Sequence, residues 1–221
     1  MLEHEKRLTF RCEHGHDGYA HKMCYQRVHH AEQRIGFLDI ETEDLRADYG
    51  IIFGYCIKDS QSDKIYQDNI TKKDINKYRS NKRDVIPCED KRVLQSLIRD
   101  MGRFTRLVGH YSSRFDMPYI RTRAVMCGLQ FPTFGSYVQT DTWMILKHKF
   151  KLSRNSLQNS CQKLVGMTEK DHLSLSIKHG CLRGEEWALK DTMKHCEQDV
   201  RDTERLYNLI YGYARETKCN I

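Results

Sequence analysis

Arg34-Ile35-Gly36-Phe37-Leu38-Asp39-Ile40-Glu41-Thr42 is the stretch on which the reading of this chain turns. Ile35, Phe37 and Leu38 predict a buried strand over 35–40 with two carboxylates at its C-terminal end. Strand side chains alternate between faces, so Asp39 and Glu41 share one side. Two acids side by side in an apolar setting oppose each other's ionisation, and a cation between them resolves the conflict. Oxygen ligands of this kind suit Mg²⁺ or Mn²⁺. Alone, an Asp-x-Glu reads more simply as a strand ending in a solvated acidic turn; the rest of the chain shifts that balance.

Further apolar runs follow at 50–57 and, more briefly, at 64–67. Val93, Leu94, Leu97 and Ile98 have helical spacing, which predicts a helix over 93–101. A short buried strand at 106–109 opens into His110-Tyr-Ser-Ser-Arg-Phe-Asp116. A helix is expected over 118–127 with Pro118 in its first turn, and a strand over 137–141. Two more helices are expected over 157–164 and 185–209, the latter with Trp187, Leu189, Met193, Val200, Leu206 and Leu209 as core contributors. Three leading strands followed by alternating helix and strand predict an α/β fold, with a mixed sheet whose first strands are antiparallel. The polar run 68–82 reads as a surface loop, and residues 1–30 show neither strand nor helix periodicity.

The bulk properties narrow the class. The 221 residues are 39% hydrophobic and 30% charged, enough for one sizeable core beneath a very polar surface. No apolar stretch approaches a membrane span, and Met1–Arg7 lacks the apolar centre of a signal peptide. Nine scattered cysteines without such a signal argue for reduced thiols or metal ligands and a cytoplasmic setting. The net charge of +7 favours a polyanionic partner.

Two further acids stand out. Asp116 sits between a buried strand and a helix, in Phe115-Asp116-Met117-Pro118. Asp199 lies in mid-helix, where Asp has low propensity, and His195 precedes it by one turn on the same face. Together, Asp39-x-Glu41, Gly109-His110-x-x-x-x-Phe115-Asp116 and His195-x-x-x-Asp199-Val200 resemble the DEDD superfamily of 3′→5′ exonucleases, with the ribonuclease-H-like fold. The likeness is nearest to stand-alone phage and bacterial relatives of the family B DNA-polymerase proofreading domain. It covers about residues 34–215, and Asp141-Thr142 and Lys151-Leu-Ser-Arg-Asn-Ser-Leu157 also look like the family's stretch between its second and third motifs. The resemblance implies that Asp39, Glu41, Asp116 and Asp199 are the catalytic acids and hold two Mg²⁺ or Mn²⁺ ions. One ion acidifies the attacking water and the other steadies the leaving 3′ oxygen, about 4 Å away.

Two positions depart from the family pattern. One branch places a tyrosine base four residues before the last Asp, and the other a histidine five residues before it. Here His195 has the tyrosine spacing, and Lys194 occupies the histidine position. Histidine accepts protons near neutrality, with an ordinary pKa of about 6.5, so His195 is read as the general base. Tyr111 replaces the Asn that usually follows Gly-His, and either stacks on a base or packs inward. Asp141 is read as the cap of the next helix rather than as part of the acidic set.

Lys147, Lys149, Lys151 and Arg154, interleaved with Phe150 and Leu152, read as a surface tracking the phosphates of single-stranded DNA or RNA. His110, Tyr111 and Arg114 join this candidate surface, and Arg121 and Arg123 are further candidates. The N-terminal segment 1–30 reads as a separate extension ahead of a 31–221 nuclease domain, carrying one structural Zn²⁺ on Cys12, His16, His21 and Cys24, with His14 as a substitute ligand. That extension is also a candidate docking element for a protein partner. The competing reading of the whole is a non-catalytic nucleic-acid-binding or docking subunit on the same scaffold; the complete acid set argues against it.

Overall fold

The computed structural model describes residues 3–29, 33–79, 88–132, 136–166 and 174–214. Two short helices, α1 (Glu3–Thr9) and α2 (Lys22–His29), precede the sheet. The strands are β1 (Ile35–Thr42), β2 (Ile52–Asp59), β3 (Ile65–Asn69), β4 (Arg106–Gly109) and β5 (Val138–Asp141). Between β3 and β4 lie α3 (Lys72–Arg79) and α4 (Lys91–Met101), and α5 (Asp116–Met126) joins β4 to β5. After β5 come α6 (Thr142–Lys149), α7 (Leu157–Ser160), α8 (Leu175–Leu182) and the long α9 (Glu186–Ile210).

The five strands form one sheet in the order β3-β2-β1-β4-β5. β1, β2 and β3 are mutually antiparallel, whereas β4 runs parallel to β1 and β5 parallel to β4. This is the mixed sheet that the sequence predicts. Helices cover both faces. Leu38, Ile40, Tyr55, Ile57 and Leu107 pack with Val93, Leu94 and Leu97 of α4 and Met117 and Ile120 of α5. Phe37, Cys56 and Val108 pack with Met193, Cys196 and Val200 of α9. β2 is therefore buried along nearly its whole length, which explains its continuous apolar run. Because Phe37 faces α9, period-two alternation turns Asp39 and Glu41 toward α9 as well.

A buried ion pair ties the second layer to the sheet. The Arg123 guanidinium on α5 donates to Asp90 through Nε at 2.9 Å and Nη2 at 2.7 Å, and Ile52 N–H on β2 donates to the same carboxylate at 3.0 Å. Arg123 is 1% exposed and so is a structural tie rather than part of a nucleic-acid surface. Lys58 is likewise sequestered, at 2.8 Å from Glu204 of α9.

Several elements differ from expectation. Residues 3–29 contain two helices of seven and eight residues, each so short that a helical period has only about two turns in which to show. The run 68–79 is the end of β3 and α3 instead of a loop, and 80–82 lie outside the described residues. Its signal is a reciprocal cap: Thr71 N–H donates to Asp74 at 2.9 Å and Asp74 N–H to Thr71 Oγ1 at 3.3 Å. The helix expected at 157–164 is one α-turn continued by a π-turn, Cys161–Val165. Trp187 and Leu209 are about half exposed, at 50% and 49%, while Leu189, Met193, Val200 and Leu206 are buried.

Candidate active site

Three structural elements, β1, α5 and α9, converge at the C-terminal ends of β1 and β4. Asp39 and Glu41 come from the end of β1, where the pairing with β2 slips between Glu41 and Thr42. Such an irregularity bends a strand and re-aims its last side chains. Asp116 is the first residue of α5 and is buried, and its Oδ1 accepts a hydrogen bond from Ile40 N–H at 3.2 Å. Asp199 and His195 come from the buried face of α9. His195 Nδ1 lies 2.8 Å from Glu41 Oε1 and 3.8 Å from Asp199 Oδ2. Side-chain donor atoms of Glu41, His195 and Asp199 all fall within 4.8 Å of one another.

The electrostatics report the same convergence. Asp39 is partly open to solvent but hemmed in by protein. Desolvation, with the charges of Asp199, Asp116 and Glu41 added, holds its carboxyl well above the usual carboxylate range, against a hydrogen bond with Cys196. Burial pushes the Asp116 carboxyl up to about 7. Its own amide and that of Ile40 oppose the shift, and the charges of Asp141 and Glu41 reinforce it. The charges that act on Asp39 are those of the other three acids the motifs single out, so the four lie close enough to form one cluster.

The loop carrying Asp116 is held by Asp141, a contribution larger than a helix cap. Asp141 Oδ1 accepts from Trp143 N–H, which is the expected cap, and also from Tyr111 N–H, both at 2.9 Å. Its Oδ2 accepts from Ser113 N–H at 3.0 Å and from the Ser113 hydroxyl at 2.5 Å. Gly109 allows the loop to fold this tightly, since a Cβ there would sit 2.5 Å from that of Ser112. His110 is a brace rather than a free contact residue: Nδ1 lies 2.9 Å from Thr142 Oγ1, and Nε2 lies 2.8 Å from the Asn155 carbonyl.

Tyr111 does not pack inward. It is 40% exposed, it has a positive φ of 63°, and its ring meets Trp143 edge-on at 5.0 Å. A non-glycine residue in the left-handed region is uncommon and is strained backbone, held here by the hydrogen bond to Asp141. Lys147 lies over Trp143 at 4.9 Å, which joins the aromatic pair to the cationic stretch. Lys147, Lys149, Lys151, Arg154 and Arg114 are exposed.

A second cluster lies in the N-terminal segment ahead of β1. Cys12, His14, His21 and Cys24 bring four donor atoms within 4.8 Å of one another. His14 takes the place that the sequence reading gives to His16, whose ring instead packs edge-on against His21 at 5.6 Å. Desolvation pushes the Cys12 thiol up, but hydrogen bonds to His21 and His14 outweigh it and bring it down to about 6.

A five-stranded mixed sheet with acids at its strand ends and on an overlying helix defines a ribonuclease-H-like architecture with a carboxylate centre. A model of the RNase H superfamily matches residues 36–211, and the chain belongs to that superfamily. No curated protein matches the sequence. Among solved structures, it is similar to the family B DNA polymerase from the hyperthermophilic archaeon Pyrobaculum calidifontis, with a TM-score of 0.55 and 18% identity. The alignment covers 80% of this chain but only 24% of the polymerase, and at that identity the likeness speaks to fold alone. Membership of this superfamily supports a nuclease-type activity. Among the described residues, no helix is long and apolar enough to cross a membrane.

Proposed function

We propose that the chain is a metal-dependent 3′→5′ exonuclease of the DEDD type acting on single-stranded nucleic acid. The observation that carries this reading is the cluster of Asp39, Glu41, Asp116 and Asp199 with His195 hydrogen-bonded inside it. The donor set fits hard divalent cations: it is rich in carboxylate oxygen, and burial together with the charges of Asp199, Asp116 and Glu41 holds the Asp39 carboxyl well above its usual range, a conflict that bound Mg²⁺ or Mn²⁺ would relieve. When bound, a pair of such ions supplies an acidified water and stabilisation of the leaving 3′ oxygen.

The chain's own groups supply the rest. The histidine tautomer that donates from Nδ1 to Glu41 keeps Nε2 basic, so His195 removes the proton from the attacking water. The Tyr111–Trp143 pair offers a face on which a terminal base stacks, a sequence-tolerant contact. Lys147, Lys149, Lys151, Arg154 and Arg114 neutralise phosphates without reading bases.

Digestion of 5′-labelled single-stranded DNA and RNA, with Mg²⁺, Mn²⁺ and chelator compared, tests the proposal. The expected result is a ladder shortening from the 3′ end, abolished by chelator and by Asp116→Ala. Undiminished cleavage by Asp116→Ala, or no cleavage of either polymer in any metal, would overturn it. The latter outcome would favour a binding or docking role for the scaffold.

A further inference from the structure

We propose that Cys12, His14, His21 and Cys24 form a closed tetrahedral zinc site that clamps the turn between α1 and α2. This site is chemically distinct from the carboxylate centre. It offers two thiols and two imidazoles, a soft to borderline set that suits zinc and does not suit Mg²⁺ or Mn²⁺.

The spacing of the donors supports the assignment. With Zn–S of about 2.3 Å and Zn–N of about 2.05 Å, a regular tetrahedron has S···N edges of about 3.6 Å. Cys12 Sγ lies 3.4 Å from His21 Nδ1 and 3.8 Å from His14 Nδ1, and Cys24 Sγ lies 3.6 Å from His14 Nδ1. The three measured edges therefore bracket the zinc value. All four donors are protein side chains, which is the pattern of a structural ion rather than a catalytic one with an open position.

The surrounding chain shows why a clamp is needed. Among the described residues, the two helices pack through a small unit. Tyr25 is buried, Phe10 meets it edge-on at 5.1 Å, and the Arg7 guanidinium lies 4.5 Å from its ring centre. Gly18 brings the turn directly onto α1: its N–H donates to the Arg7 carbonyl at 2.8 Å, and a Cβ there would sit 2.7 Å from the Tyr25 ring. A unit this small does not order itself by burial alone, and a metal that binds only the folded form supplies the missing stability. The helix pair lies across a cleft of about 130 Å³, with Arg7, Tyr25 and His29 on one side and Arg34, Thr105 and Val138 on the other. Arg34, Thr105 and Val138 sit where β1, β4 and β5 begin, at the end of the sheet away from Asp39 and Glu41. Zinc is thereby assigned to architecture and not to chemistry.

The test uses the full chain purified without added metal under reducing conditions. One equivalent of zinc is expected by elemental analysis. Cobalt exchanged into the site should give thiolate-to-cobalt charge transfer and the intense visible bands of tetrahedral geometry. Cys12→Ser, Cys24→Ser and His14→Ala should each lose the metal, while His16→Ala and Asp116→Asn retain it. Hydrogen exchange should quicken in residues 3–29 on zinc removal, with α5 and α9 unaffected. Wild-type protein holding no zinc after reconstitution would overturn the proposal, as would a Cys12–Cys24 disulfide or retention in His14→Ala with loss in His16→Ala. Because the zinc readouts do not involve cleavage, they stand or fall separately from the nuclease reading.

Discussion

Asp116→Asn separates the stability of the protein from its chemistry. The amide oxygen can still accept the Ile40 N–H, so the change removes the charge and keeps the tie between β1 and α5. In the folded protein without divalent ions the Asp116 carboxyl titrates near 7, against 3.8 as the ordinary value. Between those values the folded state holds a proton that the unfolded chain has lost, so stability falls as pH rises through that window and is level above it. At about 1.36 kcal/mol per tenfold, the penalty at pH 8 reaches about 4 kcal/mol. Asp116→Asn should recover up to that amount in chelator at pH 8 and almost nothing at pH 4. For a domain of this size, that is a rise in Tm of about 8–16 °C. Excess Mg²⁺ or Mn²⁺ should stabilise the wild type, by about 2.7 kcal/mol at a hundredfold excess over Kd, and should do so far less for the variant. Urea unfolding at pH 4 and pH 8, with chelator and then with metal, measures each quantity. A variant no more stable than wild type at pH 8 in chelator, with an unchanged response to metal, would refute the account of the cluster.

Other consequences are open to direct measurement. His195→Ala should lower kcat by about 10²–10⁴ and remove the acid limb of the pH–rate profile; His195→Tyr should restore part of the rate, and an unaltered profile would show His195 to be a bystander. Tyr111→Ala removes a stacking face worth about 1–3 kcal/mol, so KM for single-stranded substrate should rise by roughly 5- to 150-fold while kcat changes little; the opposite split would place Tyr111 in the chemistry. Replacing Lys147, Lys149, Lys151 or Arg154 by Ala should each lower the salt slope of single-strand binding by about 0.7, and an unchanged slope would mark a residue that does not contact phosphate. Arg123→Met leaves Asp90 charged and buried without its partner and should cost about 3–5 kcal/mol in urea unfolding. A loss below about 1 kcal/mol would show that the pair contributes little.

Much of this molecule is legible in its sequence because burial on each face leaves a periodic trace. Ile35–Ile40 reads as a strand, and its alternation correctly turns Asp39 and Glu41 to one side. Fully buried β2 shows as a continuous apolar run, and α4 as a stripe. Where an element spans only about two turns, its periodic trace is short and easily missed. α3 buries Ile75 and is marked at its start by the Thr71–Asp74 cap, and α1 and α2 are seven and eight residues long. Charged side chains meet another limit. Arg123 and Arg114 look alike in sequence, yet the first is locked on Asp90 in the interior and the second is exposed. What separates them is a partner 33 positions away in the chain, which local composition does not encode.

The two clusters show how far spacing goes toward a site. The acids lie on regular elements, where strand and helix periods fix direction: Glu41 two residues after Asp39, Asp199 one turn after His195. Their meeting follows once β1 and α9 are packed together. The thiols and imidazoles instead flank a turn, where successive residues have no common period. His14 and His16 are equivalent there until backbone geometry separates them. Gly15 adopts a φ of 77°, and the Cys12 N–H bonds back to the His16 carbonyl at 3.0 Å, closing a tight loop. Within that loop the His14 ring lies near Cys12 and Cys24, and the His16 ring packs edge-on against His21. A left-handed residue between two candidate ligands therefore decides which of them joins the cluster, and a substitution at Gly15 that disfavours positive φ should weaken metal binding through His14 without removing a single donor.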